Sequence, residues 1–492
     1  MTIRPTLAEA KTTSTHNQYR VIPLSTEIYS DAVTPIRVMK TLQNLNKHCF
    51  MLESVEDKKN GGRYTFLGYD PREEITCLNE TVKITESSRT VIFEKNNPNQ
   101  HIQDMLERYK SVRFDWLPPF TGGLVGYFAY DYAKYAEPAL KFDTTDTEHF
   151  QDVDLMLFDK VIAFDHYKQK IVLIVNIGTE NLEAEYKHGR TVLNEMKELI
   201  QKDTAGIAVP AKLTSDFKAL FSKEDYCRIV AEAKEHIKEG DIFQIVLSNR
   251  FEADFEGSLF DTYRVLRTLN PSPYMFYFKG SDLEIAGASP ETLVKLQDQK
   301  LFTFPLAGTR PRGSTDEEDA ALENDLLCDE KELAEHNMLV DLGRNDLGKI
   351  SKIGTVAVDQ YMSVLRFSHV MHIGSTVSGD ICDGKTGLDA INAVLPAGTL
   401  SGAPKIRAMQ LINDLEQNKR GVYGGAIGYL SFTGNMDTCI AIRIAYKKNG
   451  KVFVRCGAGI VADSDPESEY QECINKVKAM KIALEQSSGG LD

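Results

Sequence analysis

Residues 326–349 read LLCDEKELAEHNMLVDLGRNDLGK, and they predict a helix with two acidic side chains on one face. Glu332 and Glu335 are three residues apart, so in a helix their carboxylates lie about one turn apart on the same side. Leu326, Leu333 and Val340 recur every seven residues and predict the face that packs against the core. The stretch therefore supplies half of a candidate cation site.

The sequence around this stretch predicts where the helix begins and ends. Ser314 followed by Glu317 forms a candidate capping box, and the acidic residues 316–319 suit the positive end of a helix. Gly343 supplies a stop signal. We therefore expect one helix that starts at Ser314 and ends near Gly343.

Residues 463–484, DSDPESEYQECINKVKAMKIAL, predict a second acidic helix. Asp465 and Pro466 suit its N-cap and first position. Glu469 and Glu472 again lie three residues apart, with Lys476 one turn further on. Two such pairs could hold Mg²⁺, which prefers oxygen ligands. Spacing alone favours the alternative, which is a pair of solvated helix faces.

Composition excludes several classes of protein. The 492 residues carry a formal net charge of −14, which argues against a nucleic-acid partner because such binding depends on basic residues. The longest apolar run is far too short to cross a membrane, and the first 20 residues look like a loose polar leader without a signal sequence. Eight scattered cysteines form no C-x-x-C pair. We expect a soluble, cytoplasmic protein.

Alternating strands, turns and a few helices predict an α+β fold rather than a repeating βαβ fold. Residues 201–216 are the best candidate boundary, which divides the chain into parts 1–213 and 214–492. Beyond it we predict a helix from Ser222 to Gly240 and a strand over 242–251, in which Gln244 points into the interior or toward a neighbouring sheet. Asn449 and Gly450 predict a hairpin turn.

Two further residues allow more than one interpretation from spacing. Glu291 follows a Ser-Pro turn, and His372 lies in an alternating strand pattern where a buried core histidine is the favoured interpretation. Residues 395–413 form a Gly, Ser and Thr-rich loop before a helix, a construction that can expose backbone N–H groups to an anion. The stretch lacks the spacing of a nucleotide P-loop.

Taken together, the motifs resemble the chorismate-utilising enzymes, and within them the anthranilate synthase component I family. The resemblance spans nearly the whole chain and is carried by MLES, NPSPYMF, PLAGTRPRG, DEKELAEHNMLVDLGRNDLG, VMHI, GTLSGAPK, YGGAIGY and GAGIVADSDPESEYQECINK. It implies an α+β fold with two large antiparallel sheets packed face to face, helices outside, and the chorismate site in the C-terminal part.

The resemblance also implies roles for residues of this chain. The Mg²⁺ ligands would be Glu332, Glu335, Glu469 and Glu472. The residues around the enolpyruvyl carboxylate of chorismate would be Tyr423, Arg443, Gly457, Ala458, Gly459 and Lys476. Glu291 matches the general acid that protonates the departing 4-hydroxyl, and His372 and Thr399 match positions beside the ring, where His372 could act as base.

Two positions distinguish the activities within this family. Related isochorismate and salicylate synthases carry a water-activating lysine where this chain has Gln244, and a neutral amide cannot act as a base. Aminodeoxychorismate synthase carries a lysine nucleophile where this chain has Ala307. The resemblance therefore implies that ammonia adds to chorismate and that anthranilate and pyruvate are formed. The alternatives are aminodeoxychorismate synthase and a non-catalytic tryptophan-binding regulator.

The partners and the regulator are likewise implied by resemblance. Because the aminase pattern uses the whole chain, ammonia is expected from a separate glutamine amidotransferase subunit in a hetero-oligomer. L-Tryptophan is expected as a feedback inhibitor. Its site would contain Glu53, Ser54, Pro273, Tyr274 and Met275, with the Glu53 carboxylate for its amino group.

Overall fold

Long runs of buried strand residues build two antiparallel sheets in the computed structural model, which describes residues 2–15, 18–45, 48–54, 62–87, 89–201, 210–366 and 370–491. The first half of the chain contributes β1 Val21–Tyr29, β2 Cys49–Glu53, β3 Tyr64–Tyr69, β4 Glu73–Leu78, β5 Thr81–Glu86, β6 Arg89–Phe93, β7 Gly123–Phe128, β8 Val153–Phe158, β9 Lys160–Asp165, β10 Lys170–Gly178, β11 Lys212–Leu213 and β12 Lys218–Ala219.

The second half contributes the remaining strands of both sheets. They are β13 Gln244–Glu256, β14 Tyr274–Lys279, β15 Glu284–Ser289, β16 Thr292–Gln297, β17 Lys300–Thr303, β18 Leu306–Pro311, β19 Ala357–Arg366, β20 Val370–Asp380, β21 Gly402–Ala403, β22 Ala426–Ser431, β23 Met436–Ile440, β24 Ile444–Lys448 and β25 Lys451–Ile460.

Each sheet combines strands from distant parts of the chain. The first runs β1-β10-β9-β3-β2-β14-β15-β24-β25-β13-β11, with β12 and β21 also paired to β13. The second runs β18-β20-β17-β16-β23-β22-β7-β8-β4-β5-β6, with β19 paired to β20. Both sheets therefore contain strands from either side of residue 213, and the two-part division stays a prediction. Residues 202–209 of the proposed boundary lie outside the described residues.

Aromatic side chains join the two sheets face to face. Phe50 of β2 packs against Phe158 of β8 with ring centroids 4.7 Å apart, and both rings are fully buried. Alternation along β10 explains the layering, since Val172 and Ile174 face this central layer while Leu173 faces the helices on the other side. The expected fold of two packed antiparallel sheets is confirmed.

Eleven α-helices lie within the described residues, and most pack on the outer faces of the sheets. They are α1 Leu7–Ser14, α2 Pro35–Leu45, α3 Pro98–Arg108, α4 Leu182–Gln201, α5 Lys223–Lys238, α6 Phe260–Leu269, α7 Asp316–Cys328, α8 Glu330–Gly348, α9 Gly387–Val394, α10 Lys405–Glu416 and α11 Pro466–Ser487. Two short 3₁₀ helices cover Tyr130–Tyr135 and Gly398–Leu400.

Several local signals led to correct predictions. Ser222 caps α5, and Asp465 caps α11 with Pro466 at its first position. Asn449 and Gly450 form the hairpin turn between β24 and β25, both with positive φ. These features depend on residues close in sequence, which is why sequence reasoning finds them.

The predicted helix from Ser314 to Gly343 is wrong in three respects. Its N-cap is Thr315, whose hydroxyl accepts from the Glu318 N–H. The helix breaks at Asp329, which caps α8 and forms an ion pair with Arg310 at 2.8 Å. Gly343 lies inside α8, where a Cβ would come within 3.1 Å of Thr303 on β17. The glycine allows close packing of helix on sheet and does not end the helix.

The loose leader expected over the first 20 residues is also wrong in part. Residues 7–14 form α1, which begins with a capping box between Thr6 and Glu9. Ala10 is fully buried, and Lys11 forms an ion pair with Glu183 of α4. The prediction missed this helix because one buried alanine gives no periodic pattern.

We expect Phe50→Ala to destabilise the protein strongly, because it opens a cavity between the sheets. The free energy of unfolding should fall by about 3–5 kcal/mol, the usual range for a buried phenylalanine. Phe243→Ala, at a phenylalanine that is 74% exposed, should change it by less than about 0.5 kcal/mol. Urea denaturation followed by circular dichroism checks this, and equal midpoints for the two variants would contradict it.

Candidate functional site

Glu291 lies between β15 and β16, where the chain passes from one sheet to the other. The Thr399 hydroxyl donates a hydrogen bond to Glu291 Oε1 at 3.2 Å. Burial raises the pKa of Glu291 to about 7, although the Thr399 hydrogen bond and the positive charge of Arg443 lower it. A carboxyl with this pKa is protonated in a large fraction of molecules at neutral pH, as a general acid requires.

Arg443 presents a positive charge to this site. Its backbone has a φ of +51°, a left-handed conformation that is uncommon for a residue with a side chain. Among the described residues, none forms a hydrogen bond or ion pair with its guanidinium, and burial lowers the pKa of Arg443 although the charge of Glu291 raises it. The charge nevertheless shifts the pKa values of both Glu291 and His372 downward. Arg443 is therefore placed to bind an anion between these two residues.

His372 lies on β20 and contacts the neighbouring strand β18, which carries most of the PLAGT motif. Its Nδ1 lies 2.7 Å from the Gly308 carbonyl oxygen and 3.1 Å from Thr309 Oγ1. Burial lowers the pKa of His372, so the neutral ring prevails at neutral pH. Because a carbonyl only accepts hydrogen bonds, Nδ1 carries the proton and the lone pair is on Nε2. This tautomer allows His372 to act as a base.

The glycine-rich end of β25 brings three of the predicted substrate residues together. A Cβ at Gly457 would lie 3.1 Å from the Tyr423 hydroxyl, so the tyrosine contacts the strand backbone. Lys476 of α11 donates to the Gly457 carbonyl oxygen at 2.9 Å. The predicted grouping of Tyr423, Gly457 and Lys476 therefore corresponds to a contiguous surface.

The side chain of Gln244 also contacts Gly459, whereas the side chain of Ala458 points away from both residues. A Cβ at Gly459 would lie only 2.8 Å from Gln244 Nε2, so the amide packs on the bare glycine. Ala458 is fully buried in the layer between sheet and outer helices. Only its backbone can therefore contribute to the site.

The four glutamates expected to bind a cation lie on α8 and α11, and the two helices influence each other electrostatically. Burial raises the pKa of Glu335, and the negative charges of Glu332 and Glu472 raise it further. Burial and the charge of Glu472 likewise raise the pKa of Glu469. Glu332 and Glu335 of α8 and Glu472 of α11 therefore repel one another, and a divalent cation would relieve this repulsion.

The four glutamates supply the oxygen ligands that a hard cation prefers, although the structure does not bring their carboxylates close together. Glu332 lies 3.8 Å from Arg310, and Glu472 forms an ion pair with Lys476 at 2.6 Å. Among the described residues, the one group of three ligand atoms within 4.8 Å of one another is His236, Glu239 and Asp241 at the end of α5. Arg407 already neutralises Asp241 at 2.8 Å, so we interpret that group as a surface ion pair.

A cavity of about 660 Å³ opens between the sheets, and we call it the inter-sheet pocket. All five residues predicted to bind the inhibitor line it, namely Glu53, Ser54, Pro273, Tyr274 and Met275. They come together because β2 and β14 are neighbours and Met275 pairs with Glu53. The volume lies within the range of about 300–1,000 Å³ that small-molecule sites occupy.

Glu53 differs from the expectation in one respect, because its carboxylate is already neutralised. Arg267 donates to both of its oxygens, at 2.5 and 3.1 Å, and the Tyr263 hydroxyl donates to Oε1. Glu53 is 7% exposed. A carboxylate with three such donors has little need of a further ammonium group.

Comparison with known proteins decides the family. The family model for chorismate binding enzymes matches residues 47–481. Anthranilate synthase component 1 of Acetivibrio thermocellus is 45% identical over 98% of this chain and 99% of its own length. That of Aquifex aeolicus is 44% identical over 95% of both chains. The chain belongs to the chorismate-binding enzyme family. Its full-length relatives confirm the resemblance to anthranilate synthase component I.

Comparison with solved structures supports the same family assignment. Anthranilate synthase component I from Streptococcus pneumoniae matches with a TM-score of 0.75 and 40% identity, over 92% of this chain and 98% of that one. The menaquinone-specific isochorismate synthase of Escherichia coli has a TM-score of 0.70 at 20% identity, over 97% of this chain and 99% of that one. The second match shows a shared fold alone. No helix in the described part of this family member is long and apolar enough to cross a bilayer.

Sequence reasoning missed a buried ion cluster, which consists of Glu416, Arg420 and Arg455, beneath the site of this chorismate-binding enzyme. Arg420 forms an ion pair with Glu416 at 2.5 Å and donates to the Leu400 carbonyl oxygen at 2.6 Å. Arg455 pairs with Glu416 at 2.7 Å. The four-residue spacing of Glu416 and Arg420 was the one local signal; it is common on solvated helices, whereas here α10 ends at Glu416 and Arg420 lies beyond it.

The Glu291 carboxyl should titrate near pH 7, which infrared difference spectra between the wild type and Glu291→Gln can measure. The carbonyl band of the protonated carboxyl should disappear as the pH rises through about 7. Thr399→Val removes a hydrogen bond that favours the carboxylate, so its transition should move to higher pH. A transition that stays below pH 5, about the ordinary range of a glutamate, would contradict the burial argument.

Proposed function

We propose that this chain is the aminase component of an anthranilate synthase, which converts chorismate and ammonia to anthranilate and pyruvate. The observation that supports this proposal most directly is the raised pKa of Glu291, which allows it to hold a proton at neutral pH. Its carboxylate accepts a hydrogen bond from Thr399 and is affected by the charge of Arg443. The full-length similarity to anthranilate synthase component 1 proteins points to the same activity.

The proposed reaction has two steps. Ammonia adds at C2 of chorismate while the 4-hydroxyl departs as water with the proton of Glu291, which gives 2-amino-2-deoxyisochorismate. The C2 proton is then lost as pyruvate leaves, and the aromatic ring of anthranilate forms. His372 suits the role of base in this second step, because its neutral form has the lone pair on Nε2.

The anionic substrate needs positive and N–H partners, and the end of β25 offers them. Arg443 and the Tyr423 hydroxyl would hold the enolpyruvyl carboxylate, together with the backbone of residues 457–459. Lys476 would hold this backbone in place through the Gly457 carbonyl oxygen. Gly457 and Gly459 suit such a strand because a side chain there would collide with Tyr423 or Gln244.

Mg²⁺ is the proposed metal, and Glu332, Glu335, Glu469 and Glu472 would hold it. When bound, it would neutralise and orient the ring carboxylate of chorismate. The raised pKa values of Glu335 and Glu469 support a cation here, since burial and the negative charges of neighbouring glutamates destabilise each carboxylate. In the apo chain, Arg310 and Lys476 partly neutralise these acids.

The choice of ammonia over water rests on Gln244. Its amide packs on Gly459 at the site and cannot remove a proton from water. Ala307 is 9% exposed and has no nucleophilic atom, which disfavours aminodeoxychorismate synthase. A non-catalytic tryptophan-binding regulator would have no use for a glutamate that titrates near pH 7.

Ammonia would come from a separate glutamine amidotransferase subunit, so the working enzyme would be a hetero-oligomer. The designation of the relatives as component 1 supports a second component.

L-Tryptophan is the proposed inhibitor, and the inter-sheet pocket is its proposed site. Ser375 of β20 lines the pocket, and its hydroxyl lies 2.6 Å from Nε2 of His336 on α8. His336 is fully buried and directly follows Glu335. The pocket is therefore one hydrogen bond from the helix that would hold the metal, so a ligand that favours one conformation there would affect catalysis.

Fluorescence-monitored anthranilate formation from chorismate, Mg²⁺ and ammonium tests the activity. Glu335→Gln should lower kcat/KM by at least about 100-fold, the upper range for loss of a group that only supports a metal ligand. Glu239→Gln, in the surface group at the end of α5, is the matched control and should retain wild-type activity. An isochorismate or 4-amino product, or no turnover by the wild type, would reject the proposal.

Ser375→Ala should separate tryptophan binding from inhibition, because it removes the hydrogen bond to His336. The ratio of rates with and without saturating L-tryptophan should rise toward one, and this ratio cancels any change in basal rate. Calorimetry should show a Kd within about threefold of the wild type, since a single neutral hydrogen bond contributes little net free energy. Unaltered inhibition in this variant would reject the coupling through His336.

A further inference from the structure

Thr399 lies in the middle of a loop whose two ends are held together. Residues 394–405 run from the end of α9 to the first residue of α10. Lys405 Nζ, at one end of the loop, donates to the Val394 carbonyl oxygen at the other end, at 3.0 Å. The same Nζ donates to Oδ2 of Asp346 on α8 at 2.6 Å. Sequence reasoning selected neither Asp346 nor Lys405.

The ion pair between Asp346 and Lys405 is almost buried. The Asp346 side chain is 8% exposed and that of Lys405 is 12% exposed. Separating such a pair would leave a charge uncompensated in the interior, so its geometry is fixed. Lys349, which follows α8, donates to the other oxygen of Asp346 at 3.2 Å and to the Ala393 carbonyl oxygen at 3.3 Å. The Asp346 carboxylate therefore ties the end of α9 and the following loop to α8 through two lysines.

A second contact holds the loop against the same face of α8. Leu342 lies one turn before Asp346, and a Cβ at Gly398 would come within 2.6 Å of Leu342 Cδ1. Gly398 directly precedes Thr399. Glu291, Thr399, Leu342 and Asp346 are among the residues that line a small cavity of about 40 Å³ between these elements. The way the loop packs on α8 therefore sets where Thr399 lies beside Glu291.

From these contacts we propose that Asp346 is a positioning residue for the proposed reaction, which acts through Lys405 to hold the Thr399 hydroxyl against Glu291. The inference deepens the proposed function and rests on it. Asp346 fixes the 3.2 Å hydrogen bond that Thr399 donates to Glu291. Burial, this hydrogen bond and the charge of Arg443 shift the pKa of Glu291. Asp346 therefore influences the carboxyl through Thr399 and not through its own charge.

The chain on the other side of Thr399 has a separate support. The Leu400 carbonyl oxygen accepts a hydrogen bond from Arg420 of the buried ion cluster at 2.6 Å, which fixes this side independently of α8. Replacing Asp346 should therefore loosen one side of Thr399 and leave the other in place. Because α8 also carries Glu335, the helix that would hold the metal also positions the partner of the general acid.

Infrared titration of the Glu291 carboxyl tests the position of Thr399 directly. In Asp346→Asn the transition should move to higher pH, as in Thr399→Val, because a hydrogen bond that favours the carboxylate is weakened. Loss of the negative charge alone would move it to lower pH, so the direction separates positioning from electrostatics. Asp346→Glu keeps the charge, and its transition should lie closer to that of the wild type.

A double variant provides the sharpest comparison. In Thr399→Val the hydrogen bond is already absent, so the addition of Asp346→Asn should not move the Glu291 transition further. Shifts that add would show that Asp346 acts by another route and would overturn the inference. Asp341→Asn is the matched control, because Asp341 forms an exposed pair with Arg344 at 2.8 Å on the same helix. This control should leave the transition unchanged.

Gly398→Ala displaces the same loop without altering a charge, in case Asp346→Asn does not fold. The added methyl group would collide with Leu342. The Glu291 transition should again move to higher pH, and this shift should again not add to that of Thr399→Val. An unchanged transition in either folded variant would show that the position of Thr399 does not depend on α8, and the inference would be wrong.

Kinetics separate this inference from the proposed function. If the wild type forms anthranilate, Asp346→Asn should lower kcat by about 10- to 100-fold, since a misplacement of about 1 Å can cost about 100-fold. KM for chorismate should stay nearly unchanged, because the loop does not hold the substrate carboxylates. An unaltered kcat would overturn the inference. If the wild type does not convert chorismate, the proposed function fails, while the infrared comparison still decides whether Asp346 positions Thr399.

Discussion

The buried ion cluster holds together the segments that carry the candidate site. Glu416, Arg420 and Arg455 are each 2% exposed, and the carboxylate of Glu416 also accepts hydrogen bonds from the Ser248 N–H and hydroxyl at 2.7 and 2.9 Å. Removing one partner of a buried ion pair typically costs about 3–5 kcal/mol, because a charge is left uncompensated. The cluster therefore permits one arrangement of the segments attached to it.

Those segments carry the candidate chemistry. Arg420 binds the carbonyl oxygens of Leu400, next to Thr399, and of Val246, two residues after Gln244. Arg455 lies two residues before Gly457 on β25. Glu416 accepts hydrogen bonds from both arginines of the cluster, whereas Glu291 has the Thr399 hydroxyl as its partner and Arg443 has no ion pair among the described residues. The rigid base allows a carboxyl to remain buried and protonated near neutral pH, which would be unfavourable in a mobile loop.

Features that depend on neighbouring residues could be predicted from the sequence, whereas features that depend on distant residues could not. Helix caps at Ser222 and Asp465 and the hairpin at Asn449 depend on neighbouring residues, so local signals sufficed. The break at Asp329 depends partly on Arg310, which arrives on a different strand, and the helix signals alone did not reveal it. Gly343 has the same sequence signature whether it ends a helix or packs on a sheet, and only the position of Thr303 decides.

The candidate site shows the same difference between local and long-range interactions. The glutamate pairs are visible as a spacing on each helix, but the effect of Glu472 on Glu335 arises only because the fold places α8 and α11 near each other. The neutralisation of Glu53 by Arg267 crosses more than 200 residues of sequence. Asp346 and Lys405 are separated by 59 residues, and the loop that carries Thr399 meets α8 only in the folded chain. Family resemblance supplied the roles that spacing could not.

The inter-sheet pocket and the candidate site adjoin each other at Glu291 and Thr292, since Thr292 lines the pocket. Tyr274 bonds Asp437 in the inter-sheet pocket and also lies 2.8 Å from the hydroxyl of Thr292, the residue after Glu291. The hydrogen bond between Thr399 and Glu291, at 3.2 Å, is longer than the usual range of about 2.5–3.0 Å for a hydroxyl donor. Because close-packed interiors transmit displacement instead of absorbing it, a shift at Thr292 of a few tenths of an ångström would reach this bond. The inter-sheet pocket and the Glu291 carboxyl are therefore linked through Tyr274 and Thr292.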